Sequence, residues 1–232
     1  MANVVQPEVY TLGVSDVDWD TMKKLGLETP LHTESVEDLV EFAGRSCYQS
    51  FHRPNPATEK VDDYIHHIIE MGHESVLEHT QFTFYITGVT RAFTHELIRH
   101  RHLSYSQLSQ RFVNEENANI VMPPAILEQG GAGTEAYDTV VKNADKAFKR
   151  YRKLVENLTE AGYKRKQARE AARAVLPNNV ETRIVVTGNA RAWRDMLKKR
   201  LDPAADAEIR QVSQMLLGEL KKLGGAIFDD FD

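Results

Sequence analysis

From Thr80 to Thr87 the side chains follow a period of two, with Phe82, Phe84 and Ile86 on one face and Gln81, Thr83 and Tyr85 on the other. That period of two demands a half-buried strand, and the segments flanking it have helical periods instead. Before it, Val36, Leu39, Val40, Ala43 and Cys47 predict a helix from Ser35. Pro54 and Pro56 mark a loop, and Val61, Tyr64, Ile65, Ile68 and Met71 predict a second helix stopped by Gly72, with a short helical turn at HESVLEH. After it, Gly88 leads into a helix from Thr90 to about His102, followed by the polar stretch LSYSQLSQRF. Further strands read at Val9 to Val14 and Thr182 to Thr187. A long helix capped by Thr134 carries Tyr137, Val140, Val141, Ala144, Phe148, Tyr151, Val155 and Leu158 inward as far as Gly162. A basic helix runs from Lys164 to Leu176-Pro177, another from Asn189 to Leu201, and a last one opens at Asp202-Pro203 with Ile209, Val212, Leu216 and Leu220 inward. Strands that neither alternate with helices nor dominate them predict an α+β fold with one antiparallel sheet and helices packed on it. With 232 residues and no visible linker or repeat, residues 1–232 read as a single domain.

Charge and cysteine usage narrow the classes. Lys and Arg number 29 against 34 Asp and Glu, a net charge of -5, so any anion-binding site must be local. No apolar run approaches the ~20 residues of a spanning helix, and the opening MANVVQPEVYTLG lacks a basic n-region and an apolar h-region, so the expected compartment is the cytoplasm, with no membrane partner. The single cysteine, Cys47, forbids an internal disulfide and multi-cysteine zinc. It falls on the apolar stripe of its helix and reads as a small core residue rather than a nucleophile.

The chemistry concentrates between Arg91 and Arg111, where four arginines and three histidines face one acid, Glu96. On one continuous helix Arg91, His95 and Arg99 would stack at i, i+4 and i+8, a repulsion that an anion would relieve. Ser104, Ser106, Gln107, Ser109, Gln110 and Arg111 add donors suited to phosphate and a flat heterocycle. Metal is not expected, because His95 and His100 stand five apart rather than at the i, i+4 spacing of a zinc pair. In the helix after Asn189, Arg200 projects from the apolar stripe of Trp193, Met196, Leu197 and Leu201, as a snorkelling side chain or as a guanidinium aimed into a cavity. Arg191 and Asp195, at i and i+4, read as a possible pair, and Asn189 as a possible N-cap.

The run RHRHLSYSQLSQR, residues 99–111, resembles the RHR, seven residues, Ser signature of flavin-dependent thymidylate synthases. GHESVLEH upstream and ARAVLPNNVETRIVVTGNARAWRDMLKKR downstream are similar to further blocks of that family, although Ser106, Gln107 and Asp195 stand where many relatives have Asn, Glu and Asn. The resemblance implies a homotetramer with FAD and dUMP bound where subunits meet. By motif position it assigns FAD to Ser75, Arg99, His100, Arg101, Gln107, Asn189, Arg191 and Asp195. It assigns dUMP to Arg91, Glu96, Arg99, Gln107, Leu108, Ser109, Gln110, Arg111, Arg173 and Arg200.

The implied enzyme is a methyltransferase: 5,10-methylenetetrahydrofolate gives its one-carbon unit to dUMP, NADPH is the reductant through FAD, and dTMP and tetrahydrofolate leave. The resemblance makes Arg200 the catalytic group, stabilising negative charge on the uracil ring, and Ser109 a binding rather than attacking residue, since no base adjoins it. Two rival readings are a nucleic-acid binder using Lys142 to Arg173, with eleven bases against four acids, and a nucleotide sensor without turnover. The first is disfavoured by an acidic chain without a reader motif, so no nucleic-acid partner is expected.

Overall fold

The computed structural model describes residues 1–25, 35–51 and 55–232. In chain order the strands and α-helices are β1 (Val4–Val5), β2 (Glu8–Val14), α1 (Trp19–Lys24), α2 (Val36–Tyr48), α3 (Val61–Glu70), β3 (Gln81–Thr90), α4 (Arg91–Leu97), β4 (Ser104–Gln107), β5 (Ile120–Val121), α5 (Pro124–Glu128), α6 (Glu135–Glu160), α7 (Arg165–Ala172), β6 (Glu181–Asn189), α8 (Ala190–Arg200) and α9 (Ala207–Gly224). Short 3-10 turns cover Pro56–Thr58, Glu74–His79, Arg173–Val175 and Gly225–Ile227. Pro54 lies outside the described residues.

The alternating segment forms the central strand β3, which runs three residues past its end to Thr90. It sits within a sheet ordered β2-β3-β6-β4 whose pairings are all antiparallel, with Phe84 opposite Val186 and Ile86 opposite Ile184. Phe82, Phe84 and Ile86 are fully buried against α8 and α9, as the periodicity requires. Trp193 meets Phe84 edge-on at 5.2 Å and donates its indole N–H to the Phe82 carbonyl at 3.2 Å. Burial of each such ring contributes about 1.5–3 kcal/mol, and the edge contact about 0.5–1.5 more. A second core, of Ile120, Met122, Val141, Ala144, Phe148 and Val180, lies between β5 and α6.

The helix ends follow their caps. Ser35 Oγ accepts from Glu37 N while the Asp38 carboxylate accepts from Ser35 N, a reciprocal box that opens α2. Thr134 caps α6 through Tyr137 N, and Asn189 caps α8 through Ala192 N at 2.8 Å.

Five expectations fail. Cys47 is exposed: the buried side of α2 includes Glu41 and Arg45, which pair at 2.6 Å, so the helix turns toward them and leaves Cys47 and Tyr48 facing solvent. The helix opening at Arg91 ends at Leu97, where the His100 N–H bonds to the Leu97 carbonyl and the chain reverses. Arg91, His95 and Arg99 therefore do not form one stack. The polar stretch beyond it contains a strand, β4, an edge strand paired to β6, which its polar side chains conceal. A small parallel pair, β1 with β5, lies outside the antiparallel sheet, so the strands do not all belong to the one sheet expected. Finally, α9 opens at Asp206, whose carboxylate caps Glu208 N; Asp202 and Pro203 form a preceding turn, with Asp202 accepting from Ala204 N.

Candidate active site

Strand β6 delivers the chain into α8 at Asn189, and the opposite wall comes from the turn after α4. Tyr105 on β4 fixes that turn: its hydroxyl lies 2.7 Å from both the Leu97 and the His100 carbonyl oxygens, and burial pushes the phenol up to about 12. Between these walls and the Glu74–His79 turn opens a cleft of about 1060 Å³.

Arg200 is held at its edge with its side chain 15% exposed. Its Nε–H donates to His100 Nε2 at 2.9 Å, Nη1 to Glu96 Oε2 at 2.8 Å, and Nη2 to the Glu96 carbonyl at 3.0 Å. Three of the five guanidinium donors are thus committed, which fixes the plane and leaves two for a ligand. Because His100 Nε2 accepts, the ring proton sits on Nδ1, 3.9 Å from Asp195 Oδ2. Burial, and then the Arg200 charge, lower the His100 pKa and keep the ring neutral. On the far wall Arg191 pairs with Glu78 at 2.6 Å and approaches Glu74 at 3.8 Å, while Lys198 holds Glu74 at 3.0 Å. The possible Arg191–Asp195 pair is not formed, since Asp195 pairs with Lys199 at 2.7 Å and the acids of the 3-10 turn compete for Arg191.

The structure brings Arg99, His100, Arg101, Asn189, Arg191 and Asp195, six positions expected at FAD, onto one cleft lining with Arg200. Ser75 stands in the adjoining turn between Glu74 and Glu78, without itself lining the cleft. Gln107 turns toward the sheet, its amide donating to Thr94 Oγ1 at 3.0 Å and Thr182 Oγ1 at 3.2 Å. The remaining dUMP positions gather elsewhere. Ser109 Oγ accepts from Arg111 N at 3.4 Å, Arg111 pairs with Glu170 at 2.8 Å, Leu108 N bonds to the Arg183 carbonyl, and Gln110 is buried. Arg91 and Arg173 stand near each other on this side, and burial first, then Arg173, lower the Arg91 pKa.

Sequence reasoning missed Glu74, Glu78, His102 and Lys199 on the cleft, and Glu115 beneath Arg91. Glu74 and Glu78 had a signal, their i, i+4 spacing inside the histidine pair His73 and His79; Glu115 had none.

The lining suits a flavin dinucleotide. Five guanidinium or ammonium groups (Arg99, Arg101, Arg191, Lys199, Arg200) outweigh three carboxylates (Glu74, Glu78, Asp195) in a chain that is acidic overall, and the volume matches a large organic ligand. Among the described residues no group of three or more His, Cys, Asp or Glu gathers as a metal site.

Residues 31–223 match the family described as thymidylate synthase complementing protein, or Thy1. The chain belongs to this family. It is 49% identical over 224 residues to a flavin-dependent thymidylate synthase of Mycobacteroides abscessus, covering 94% of this chain and 84% of that protein. It is 48% identical over 228 residues, with the same coverage, to the protein of that name from Mycobacterium sp. (strain JLS). A flavin-dependent thymidylate synthase of Mycobacterium tuberculosis matches at 49% over 197 residues, 84% of this chain and 79% of its own.

Proposed function

We propose that this chain is an FAD-dependent thymidylate synthase, acting on dUMP with 5,10-methylenetetrahydrofolate as one-carbon donor and NADPH as reductant, and releasing dTMP and tetrahydrofolate. The carrying observation is the clamped Arg200 at the edge of a cation-rich cleft in a chain whose relatives are named flavin-dependent thymidylate synthases. Arg99, Arg101 and Arg191, with Asn189 and His100, are suited to hold the diphosphate and ring system of FAD. When bound and reduced, that group supplies the reducing equivalents.

The protein's own part is to stabilise the pyrimidine as its C5 becomes nucleophilic and negative charge spreads toward N3 and O4. Arg200 is suited to that charge, because it is always protonated and its orientation is fixed before substrate arrives. Neutral His100 adds no competing cation at the point where it accepts from Arg200. Glu96 holds the guanidinium through both carboxylate and backbone. Arg91 and Arg173, with mutual repulsion that an anion relieves, are assigned to the substrate monophosphate together with Ser109 and Arg111. Cys47 is exposed on α2 and does not line the cleft, so the ring is activated without a thiol adduct.

We assign the whole chain to one domain and the working particle to a homotetramer. The sheet supports self-association, since Tyr10, Leu12 and Val14 of β2 are exposed at 47, 58 and 43%. The test is flavin retention and turnover together. Purified protein should carry or take up FAD without added metal, oxidise NADPH faster when dUMP is present, and retain FAD less well as Arg101→Ala. Full occupancy of Arg101→Ala at low flavin would remove the cleft from consideration as the FAD site.

A further inference from the structure

Beneath the guanidinium groups assigned to the monophosphate lies a carboxyl that the reaction does not use. Glu115 is 3% exposed, and its Oε1 is buried without a hydrogen-bond partner. The charged and titratable groups around it come from every neighbouring element. Arg91 faces it from α4, and Glu181 and Arg183 from β6. The Glu115 backbone N–H lies 3.5 Å from the Tyr151 hydroxyl on α6, and Tyr151 in turn faces Glu116 and Arg169 of α7. Arg173 completes the group, beside Arg91.

These neighbours pull in opposite directions. Burial disfavours a carboxylate and Glu181 adds to that, while Arg91 and Arg183 favour one; the balance raises Glu115 to about 7. Arg91 acts on the Glu115 carboxyl through its field, and Oε1 is left without a hydrogen-bond partner. An anion arriving at Arg91 and Arg173 claims the positive field on which an ionised Glu115 depends, and adds a negative charge of its own. We propose that Glu115 is a proton-coupled positioning residue of the anion site, taking one proton from solvent onto its buried carboxyl as an anion settles against Arg91 and Arg173. The new O–H bond removes the negative charge that would oppose the ligand, so both guanidinium groups act on the anion. This rests on the assignment of Arg91 and Arg173 to the substrate monophosphate.

The experiment is calorimetric titration of inorganic sulfate, and separately of dUMP, into the FAD-loaded protein between pH 6.5 and 8.5, in two buffers of unlike protonation enthalpy. Sulfate keeps its charge throughout, so protons taken up with it enter the protein. Wild type should take up as much as one proton per site, with sulfate affinity falling by up to about tenfold per pH unit above the Glu115 midpoint. Glu115→Gln should lose the coupled uptake, flatten that slope and bind sulfate more tightly than wild type at pH 8.5. Absence of uptake in wild type, unchanged uptake in Glu115→Gln, or weaker binding there with the slope intact would overturn the proposal. If Arg91→Ala and Arg173→Ala leave sulfate and dUMP binding unaltered, the anion assignment itself fails, and that outcome is read independently of Glu115.

Discussion

At the residue scale the decisive contacts are those of Arg200, whose place on the α8 stripe made it an anomaly in the sequence and whose partners explain it. The side chain does not snorkel to solvent; Glu96 and His100 clamp it. Arg200→Lys keeps the charge but cannot reproduce the three-directional bonding, and Arg200→Ala removes both. Each should lower dTMP formation by about 10² to 10³, equivalent to about 2.7–4 kcal/mol, while flavin absorbance shows the cleft still loaded. Near-normal dTMP formation by the alanine variant would show that the clamp serves structure only.

His100 yields a second prediction of definite sign. Its pKa is lowered in the fold, so below about pH 6.5 the unfolded chain binds a proton that the folded one resists, and stability falls as pH drops. His100→Gln should reduce the difference in urea midpoint between pH 7.5 and pH 5.5; an unchanged difference would mean the ring titrates freely in the fold. Cys47→Ala should retain most dTMP formation, now for a corrected reason: the thiol is solvent-facing and outside the cleft, rather than buried.

At the scale of elements, β3 was legible because an alternating strand flanked by helices admits one burial pattern, and Phe82, Phe84 and Ile86 follow it. The caps at Ser35, Thr134 and Asn189 were legible for the same local reason: each side chain satisfies an N–H group within three residues of itself. Strand β4 was not, because Ser104, Tyr105, Ser106 and Gln107 have no apolar alternation and owe their conformation to pairing with β6, about eighty residues away by position. Glu41 and Arg45 misled in the opposite sense, since their pairing buries charge on a face that apolar periodicity assigns elsewhere.

The bend after Ile86 is an element-scale test. Gly88 sits where the pairing of β3 to β6 shifts register, at φ +64°, and a Cβ there would fall 1.9 Å from the Gln6 carbonyl oxygen. Gly88→Ala must accept a left-handed backbone costing about 1–3 kcal/mol and also push β1 and its following residues away. A urea midpoint within error of wild type would show that this approach is not tight in solution.

For the whole molecule, the fold brings six of the eight positions expected at FAD onto one cleft lining, while Gln107, Arg91, Arg173 and the 108–111 segment face other surroundings. Motif order along a chain does not encode which side chains turn toward the same space. In the homotetramer we propose, residues of neighbouring subunits close each site. Leu12→Glu on the exposed sheet face should therefore yield smaller particles in sedimentation and lower dTMP formation together. Tetramers that persist with full activity would place the contact elsewhere. The central claim, that this chain uses reduced flavin and a fixed guanidinium to methylate dUMP, is met most directly by anaerobic single turnover. Protein loaded with FAD and fully reduced is mixed with dUMP and 5,10-methylenetetrahydrofolate, and dTMP is quantified against flavin. Wild type should form about one dTMP per reduced flavin; dTMP formed equally by flavin-free protein, or none from protein with full flavin occupancy, would exclude flavin as the reductant that completes the methyl group.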